Sequence, residues 1–261
     1  MGEKLWRKNL INIEPYVAGE QPKNDKIIKL NANENPYPPS PKVKAILEGK
    51  TIAELRKYPS ADASALRAAL AERVGLKSEN VFCGNGSDDV LATAFRAFFN
   101  SDKPILYPDI TYSFYPVWCE LLKIPYKTKS VDENFVINIE DFKEPNGGVV
   151  IPNPNAPTSL GVGEKFIREL LENNQDSIVI IDEAYVDFGR YSCVELIIWH
   201  SDHSAVRAMY YRDRLAPISL TIESPVFHLI LNALFTAAHF FKNSKHLFDS
   251  FFLVCYAVKL T

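Results

Sequence analysis

Two short runs that are apolar throughout, Gly148 to Ile151 (GVVI) and Ser177 to Ile181 (SIVII), each break abruptly into polar residues, NPNAPTS and DEAY. A strand that is apolar at every position, rather than at alternate ones, must be buried on both faces. That is the condition of a parallel sheet held between two helical layers. Asn80 to Cys83 and Lys103 to Tyr107 (KPILY) read as two further short strands. Helical spacing runs between and around them: over residues 41–57 after the turn PYPPSP, over Ser64 to Val74 with Gly75 closing an amphipathic helix, through DVLATAFRAFF, from Tyr112 to Leu122, and from Glu164 to Asn173. The expected class is therefore α/β, a mostly parallel sheet with helices on both faces. In such sheets ligands sit beyond the carboxyl ends of the strands, and the polar motifs fall there.

Composition narrows the options. With 261 residues and 47% hydrophobic content the chain can bury one large core or two smaller ones. A net charge of −3 argues against a nucleic-acid patch and a polybasic membrane anchor, so neither partner is expected. The opening MGEKLWRKNLINIEPY has no apolar core of a signal peptide, which sets the cytoplasm as the expected compartment. Cys83, Cys119, Cys193 and Cys255 form no CxxC pair, and neither a zinc site nor a disulfide frame is expected.

The sequence changes character near residue 190. All eleven glycines lie at or before Gly189, while His200, His203, His228, His239 and His246 all follow it. A long segment without glycine has few ways to make tight turns. Residues 198–261 are expected to be helical or disordered, either an unusual helical tail or the product of out-of-frame or degenerate coding. Their apolar stretch PVFHLILNALFTAAHFF is short for a membrane span and carries polar residues.

Four motifs carry candidate chemistry. GNGSDD, Gly84 to Asp89, follows a strand and opens a helix. The amides of Gly86, Ser87 and Asp88 could point at an anion, aided by the helix dipole; the alternative is a plain cap by Ser87 or Asp88. Tyr112 in DITYSFY could stack on a ring or simply pack. NPNAPTS is a turn whose asparagines could donate to a phenolate oxygen, or a loop with no further role. Asp182, at the end of SIVII, is costly to bury without a partner. A protonated pyridine nitrogen is one partner; a metal or a helix cap are others. No GxxxxGK[ST] loop is present to support nucleotide hydrolysis.

Taken in order, LNANENPYPP, KYPSADASALRAALA, GNGSDD, YPDITYSFY, NPNAPTS and IIDEAYVDF, with IEPYVAGE before them, resemble histidinol-phosphate aminotransferase, a fold-type I pyridoxal-phosphate family. The resemblance runs from about residue 10 to about residue 197. It implies an arm over residues 1–40, a cofactor-binding large domain over 41–197 that is incomplete, and an unrelated tail over 198–261. It implies pyridoxal 5'-phosphate as cofactor and a homodimer. It also implies transfer of an amino group between L-glutamate and imidazole-acetol phosphate to give histidinol phosphate. Gly86, Ser87 and Asp88 would cradle the cofactor phosphate, Tyr112 would stack on its ring, and Asp182 would pair with the ring nitrogen. Tyr185 would hydrogen-bond the 3-oxygen together with an asparagine of NPNAPTS, taken as Asn155. Tyr58 would reach the phosphate of the partner subunit, and Tyr16, Asn33 and Glu34 would lie near the substrate.

The departures bear on activity. The family follows DEAYVDF with a T-[FM]-S-K-type motif whose lysine forms the Schiff base with the cofactor. Here no lysine occurs between Lys165 and Lys242. Ala156 stands where many relatives keep a second asparagine, and Ser159 where the family usually has glycine. The expectation is an aminotransferase by descent without turnover of its own. Alternatives are a non-catalytic binder of phosphorylated ligands and a related threonine-phosphate decarboxylase.

Overall fold

The computed structural model describes residues 27–28, 33, 40–48, 58, 60–194, 196, 208–212 and 253–257. Strands β1 (Val81–Gly84), β2 (Ile105–Pro108), β3 (Tyr126–Lys129), β4 (Gly148–Pro152), β5 (Val179–Glu183), β6 (Ala208–Arg212) and β7 (Leu253–Ala257) form one sheet in the order β1-β7-β6-β5-β4-β2-β3. Every neighbouring pair is parallel. The helices are α1 (Pro41–Glu48), α2 (Ser64–Val74), α3 (Gly86–Phe98), α4 (Phe114–Leu122) and α5 (Glu164–Asn173).

The two faces of the sheet follow from the two-residue period of a strand. Leu106, Val149, Ile151, Val179 and Ile181 pack with Leu70 of α2 and with Ile167 and Leu170 of α5. Ile105, Tyr107, Val150 and Ile180 pack with Leu91, Ala94 and Phe95 of α3 and with Tyr115 and Trp118 of α4. The fully apolar strands are buried on both sides, as expected, and helices cover each face. The same parity assigns the residues that end β5. Asp182 shares the side of Ile180, facing the α3 and α4 layer. Glu183 shares the side of Ile181 and the α5 layer.

Several boundaries shift. The reading of residues 41–57 as helix is met by α1 over Pro41–Glu48, and residues 49–57 lie outside the described residues. Gly75 closes α2 at φ 72, its N–H shared between the carbonyls of Ala71 and Glu72. The buried stripe of that helix is narrow, since alanines spread its apolar character around the circumference; only Leu70 and Ala71 are buried. β1 begins at Val81, behind a single 3-10 turn at Ser78–Asn80, and β5 runs on to take Asp182 and Glu183 into the ladder. Strand β3 (YKTK) had no apolar signal because it is the exposed edge of the sheet, where lysines discourage further pairing.

The tail, expected to be helical or disordered, supplies two strands instead of helix wherever it is described beyond residue 197. β6 pairs with β5 (Asp182 opposite Tyr211), and β7 lies between β6 and β1. A sheet whose interior strand would otherwise present an open edge can recruit apolar runs such as AMYYR and LVCYA regardless of their helical alternatives. The segment PVFHLILNALFTAAHFF lies outside the described residues. Among the described residues no helix is long and apolar enough to cross a membrane.

Candidate functional site

The candidate site forms where α3 begins and where β2, β4 and β5 end. β1 stops at Gly84, and α3 starts at Gly86 with φ +85, in the left-handed region that favours glycine. The position its Cβ would take has no atom within 4 Å, so the backbone here borders open space. Gly84 has the opposite reason for being glycine: a Cβ there would meet Val90 Cγ2 at 2.6 Å. No side chain of the cap residue Asn85 bonds to the helix, and neither Ser87 nor Asp88 is the cap. The first-turn amides therefore lack a side-chain cap, as an anion-binding turn requires. Asp89 Oδ2 instead accepts from the Asn85 amide at 2.8 Å, which stiffens the turn from its flank.

Tyr112 lies in the turn between β2 and α4. Its hydroxyl donates to Asp88 Oδ1 at 2.5 Å, and its ring meets Tyr115 edge-on at 5.7 Å between centroids. One helical turn further on, the Tyr115 hydroxyl donates to Asp182 Oδ2 at 2.6 Å. The sequence reading did not include Tyr115, although its spacing of three from Tyr112 was the available signal. Asp182 is 6% exposed, and its Oδ1 accepts from the Ala184 amide at 3.1 Å. Burial raises its pKa above the ordinary carboxylate value, opposed by the Tyr115 and Ala184 donors and reinforced by the nearby charge of Asp88. The strand tip at position 182 and the helix start at position 88 thus share one electrostatic environment. Among the described residues both donors to Asp182 are neutral, and no cation is bonded to this buried carboxylate; a protonated ring nitrogen would supply one.

NPNAPTS is anchored firmly. The Asn153 amide N–H donates to the Asp182 carbonyl at 2.8 Å, and Asn153 and Asn155 are 2% and 1% exposed. Asn155 accepts from Thr111 Oγ1 at 3.0 Å and donates through Nδ2 to the Ile110 carbonyl at 2.8 Å. These bonds tie the loop to the DIT segment beside Tyr112 and leave one Nδ2 hydrogen for a further acceptor. Its peptide bonds Asn153–Pro154 and Ala156–Pro157 are cis. Ser159 holds φ +64, a left-handed conformation.

Tyr185 follows β5, and its hydroxyl accepts from Asn33 Nδ2 at 3.0 Å, which brings Asn33 to the strand tip. Tyr58 is 80% exposed. Tyr16 and Glu34 lie outside the described residues. On the other face of β5, the fully buried Glu183 accepts from the Cys193 amide at 2.7 Å and from Ser192 Oγ at 2.9 Å. This fixes the chain after Gly189 and is not legible in the sequence, because a second carboxylate directly after Asp182 at the end of an apolar run reads as solvent-facing.

The sequence model of the aminotransferase class I and II family matches residues 25–210. The chain belongs to that aminotransferase family. It is 48% identical over 217 residues to histidinol-phosphate aminotransferase of Lactococcus lactis subsp. cremoris, an alignment covering 83% of this chain and 61% of that protein. It is 51% identical over 197 residues to the enzyme of the same name from Acinetobacter baylyi, covering 74% and 55%. This aminotransferase-family chain thus spans roughly three fifths of the length of the curated relatives it matches. Among solved structures it resembles histidinol-phosphate aminotransferase of Clostridium acetobutylicum, with TM-score 0.54, 27% identity and coverage of 65% and 52%. A histidinol-phosphate aminotransferase of Sinorhizobium meliloti solved in complex with pyridoxal-5'-phosphate shares the fold, with TM-score 0.54 and 19% identity over 60% of this chain and 44% of that one. The likeness to proteins of known transaminase name agrees with the family suggested by the motifs. The aminotransferase sequence model also continues past residue 197, through the start of β6.

Proposed function

We propose that this chain is the cofactor-holding part of a histidinol-phosphate aminotransferase, with pyridoxal 5'-phosphate bound between the start of α3 and the end of β5. The observation that supports this most is the buried carboxylate of Asp182, which has neutral donors on both oxygens and lies beside the uncapped first turn of α3. In this reading the amides of Gly86, Ser87 and Asp88 hold the phosphate, Tyr112 covers the ring, and Asp182 faces the ring nitrogen. Tyr185 and the remaining Nδ2 hydrogen of Asn155 serve the 3-oxygen. Asn33, bonded to Tyr185, lines the substrate side together with Tyr16 and Glu34. The bound cofactor supplies an electron sink that stabilises negative charge developing beside its carbonyl carbon. Asp182 strengthens that sink by keeping a proton on the ring nitrogen.

The substrates in this reading are L-glutamate and imidazole-acetol phosphate, in the cytoplasm. The exposed Tyr58 fits a homodimer in which it reaches the partner's phosphate site. Residues 41–197 supply the cofactor domain. No lysine occurs between Lys165 and Lys242, so the stretch of sequence that carries β5 and β6 offers no amine to hold the cofactor covalently or to move the proton at the reacting carbon. Cofactor binding without turnover is the expected behaviour. The purified chain should bind pyridoxal 5'-phosphate reversibly, leave no borohydride-trapped adduct at the site, and give no glutamate-dependent product. Turnover above a no-protein control would overturn the inactivity. Failure to bind would overturn the cofactor assignment.

A further inference from the structure

Asp182 is held by one donor on each oxygen, Tyr115 Oη at 2.6 Å on Oδ2 and the Ala184 amide at 3.1 Å on Oδ1. Two donors on two oxygens fix the plane of a carboxylate as well as its position. Tyr115 itself has little freedom. It is fully buried, with the rings of Tyr107 at 5.6 Å, Tyr112 at 5.7 Å and Phe95 at 6.1 Å around it. Its hydroxyl is a permanent donor, because burial and the adjacent Asp182 carboxylate push its own pKa far up. Nothing in the packing of α4 demands a hydroxyl at this depth. A phenyl ring would fill the same volume among Phe95, Tyr107 and Trp118.

Resting on the reading of Asp182 as partner of the cofactor ring nitrogen, we propose that Tyr115 is a positioning residue that orients the Asp182 carboxylate and keeps it the anionic member of that pair. When a carboxylate and a ring nitrogen share one proton, the proton resides on whichever is the stronger base. A donor to the carboxylate stabilises its charge and weakens it as a base, so the proton stays on nitrogen. Without Tyr115, one neutral donor would remain against the desolvation of a buried group and the repulsion from Asp88. The shared proton would then move toward Asp182.

The test uses the full chain, its Tyr115→Phe variant and two ligands: pyridoxamine 5'-phosphate with a nitrogen-15 label in the ring, and the analogue in which that nitrogen is replaced by C–H. Calorimetry should show Tyr115→Phe binding the first ligand about tenfold more weakly, within the range of one hydrogen bond to a charged group, and the second unchanged. The ring nitrogen resonance should move toward its unprotonated position. Equal losses for both ligands, or an unmoved resonance, would reduce Tyr115 to a packing residue. If neither ligand binds the parent chain, the cofactor reading itself fails and the positioning role goes with it. If Tyr115→Phe does not fold by near-ultraviolet circular dichroism, 3-fluorotyrosine at position 115 is the second variant. As a stronger donor of nearly the same shape, it should move the resonance further toward the protonated position, and no movement would overturn the proposal.

Discussion

The Tyr112 hydroxyl donates to the Asp88 carboxylate at 2.5 Å and so ties the loop after β2 to the first turn of α3. This places a restrained negative charge beside the amides assigned to a phosphate. Freed from its donor, that exposed carboxylate would sample positions closer to the anion, and like charges at contact range repel even with water around them. Tyr112→Phe should therefore weaken pyridoxamine 5'-phosphate several-fold more than pyridoxamine, which lacks the phosphate, since the ring platform is kept. Tyr112→Leu should weaken both. Calorimetric titration of the two ligands against both variants checks the difference.

Asp182 gives a pH-dependent prediction with a definite sign. Burial raises its pKa above 3.8, so the folded chain holds that proton to higher pH than the unfolded chain does. In the window above 3.8 the folded state binds more protons, and the contribution of this group to stability falls as pH rises through it. Asp182→Asn removes the buried charge and should raise the melting temperature of the ligand-free protein at neutral pH, at about 2–4 °C per kcal/mol for a chain of this size. The advantage should shrink on acidification, as the parent carboxyl takes up its proton. With saturating pyridoxamine 5'-phosphate the order should reverse, because the amide offers the ring nitrogen no charge. Thermal melts across pH, with and without ligand, decide it.

Two left-handed positions should respond in opposite directions. Gly86 sits at φ +85 with free space where a Cβ would go, so Gly86→Ala is penalised by the backbone alone, by about 1–2 kcal/mol. Ser159, at φ +64, already carries that strain. Ser159→Gly relieves it but loosens the unfolded chain, leaving a net gain of about 0.5–1 kcal/mol. Urea denaturation of the two variants should show midpoints displaced to either side of the parent.

The core makes a simpler claim. Leu170 of α5 is fully buried against β4 and β5, whereas Leu160 is 42% exposed. Leu170→Ala should destabilise by about 2–5 kcal/mol through lost burial and the cavity left behind. Leu160→Ala should stay within about 0.5 kcal/mol. The same denaturation assay separates them.

Thiol chemistry reports on the same interior. Burial pushes Cys119 up to about 12, and burial with the neighbouring Glu183 carboxylate pushes Cys193 well above its ordinary value. Neither offers thiolate near neutral pH. Both should resist iodoacetamide at pH 8 until the chain is unfolded, as read by peptide mass spectrometry.

The sequence alone determined the parallel sheet and its helical cover, because a strand apolar at every residue has no other stable setting. It also put Gly86, Asp182 and Tyr185 at strand ends, where ordered motifs follow apolar runs. The edge strand β3 and the recruitment of β6 and β7 were decided by the tertiary structure, since pairing depends on which edges the rest of the sheet leaves open. The same holds for Tyr115 and Glu183. Their neighbours in sequence say nothing of a partner 67 or 10 residues away, and only the folded sheet, by sending alternate side chains to opposite faces, brings Asp182 to a tyrosine of α4 and Glu183 to the chain beyond Gly189.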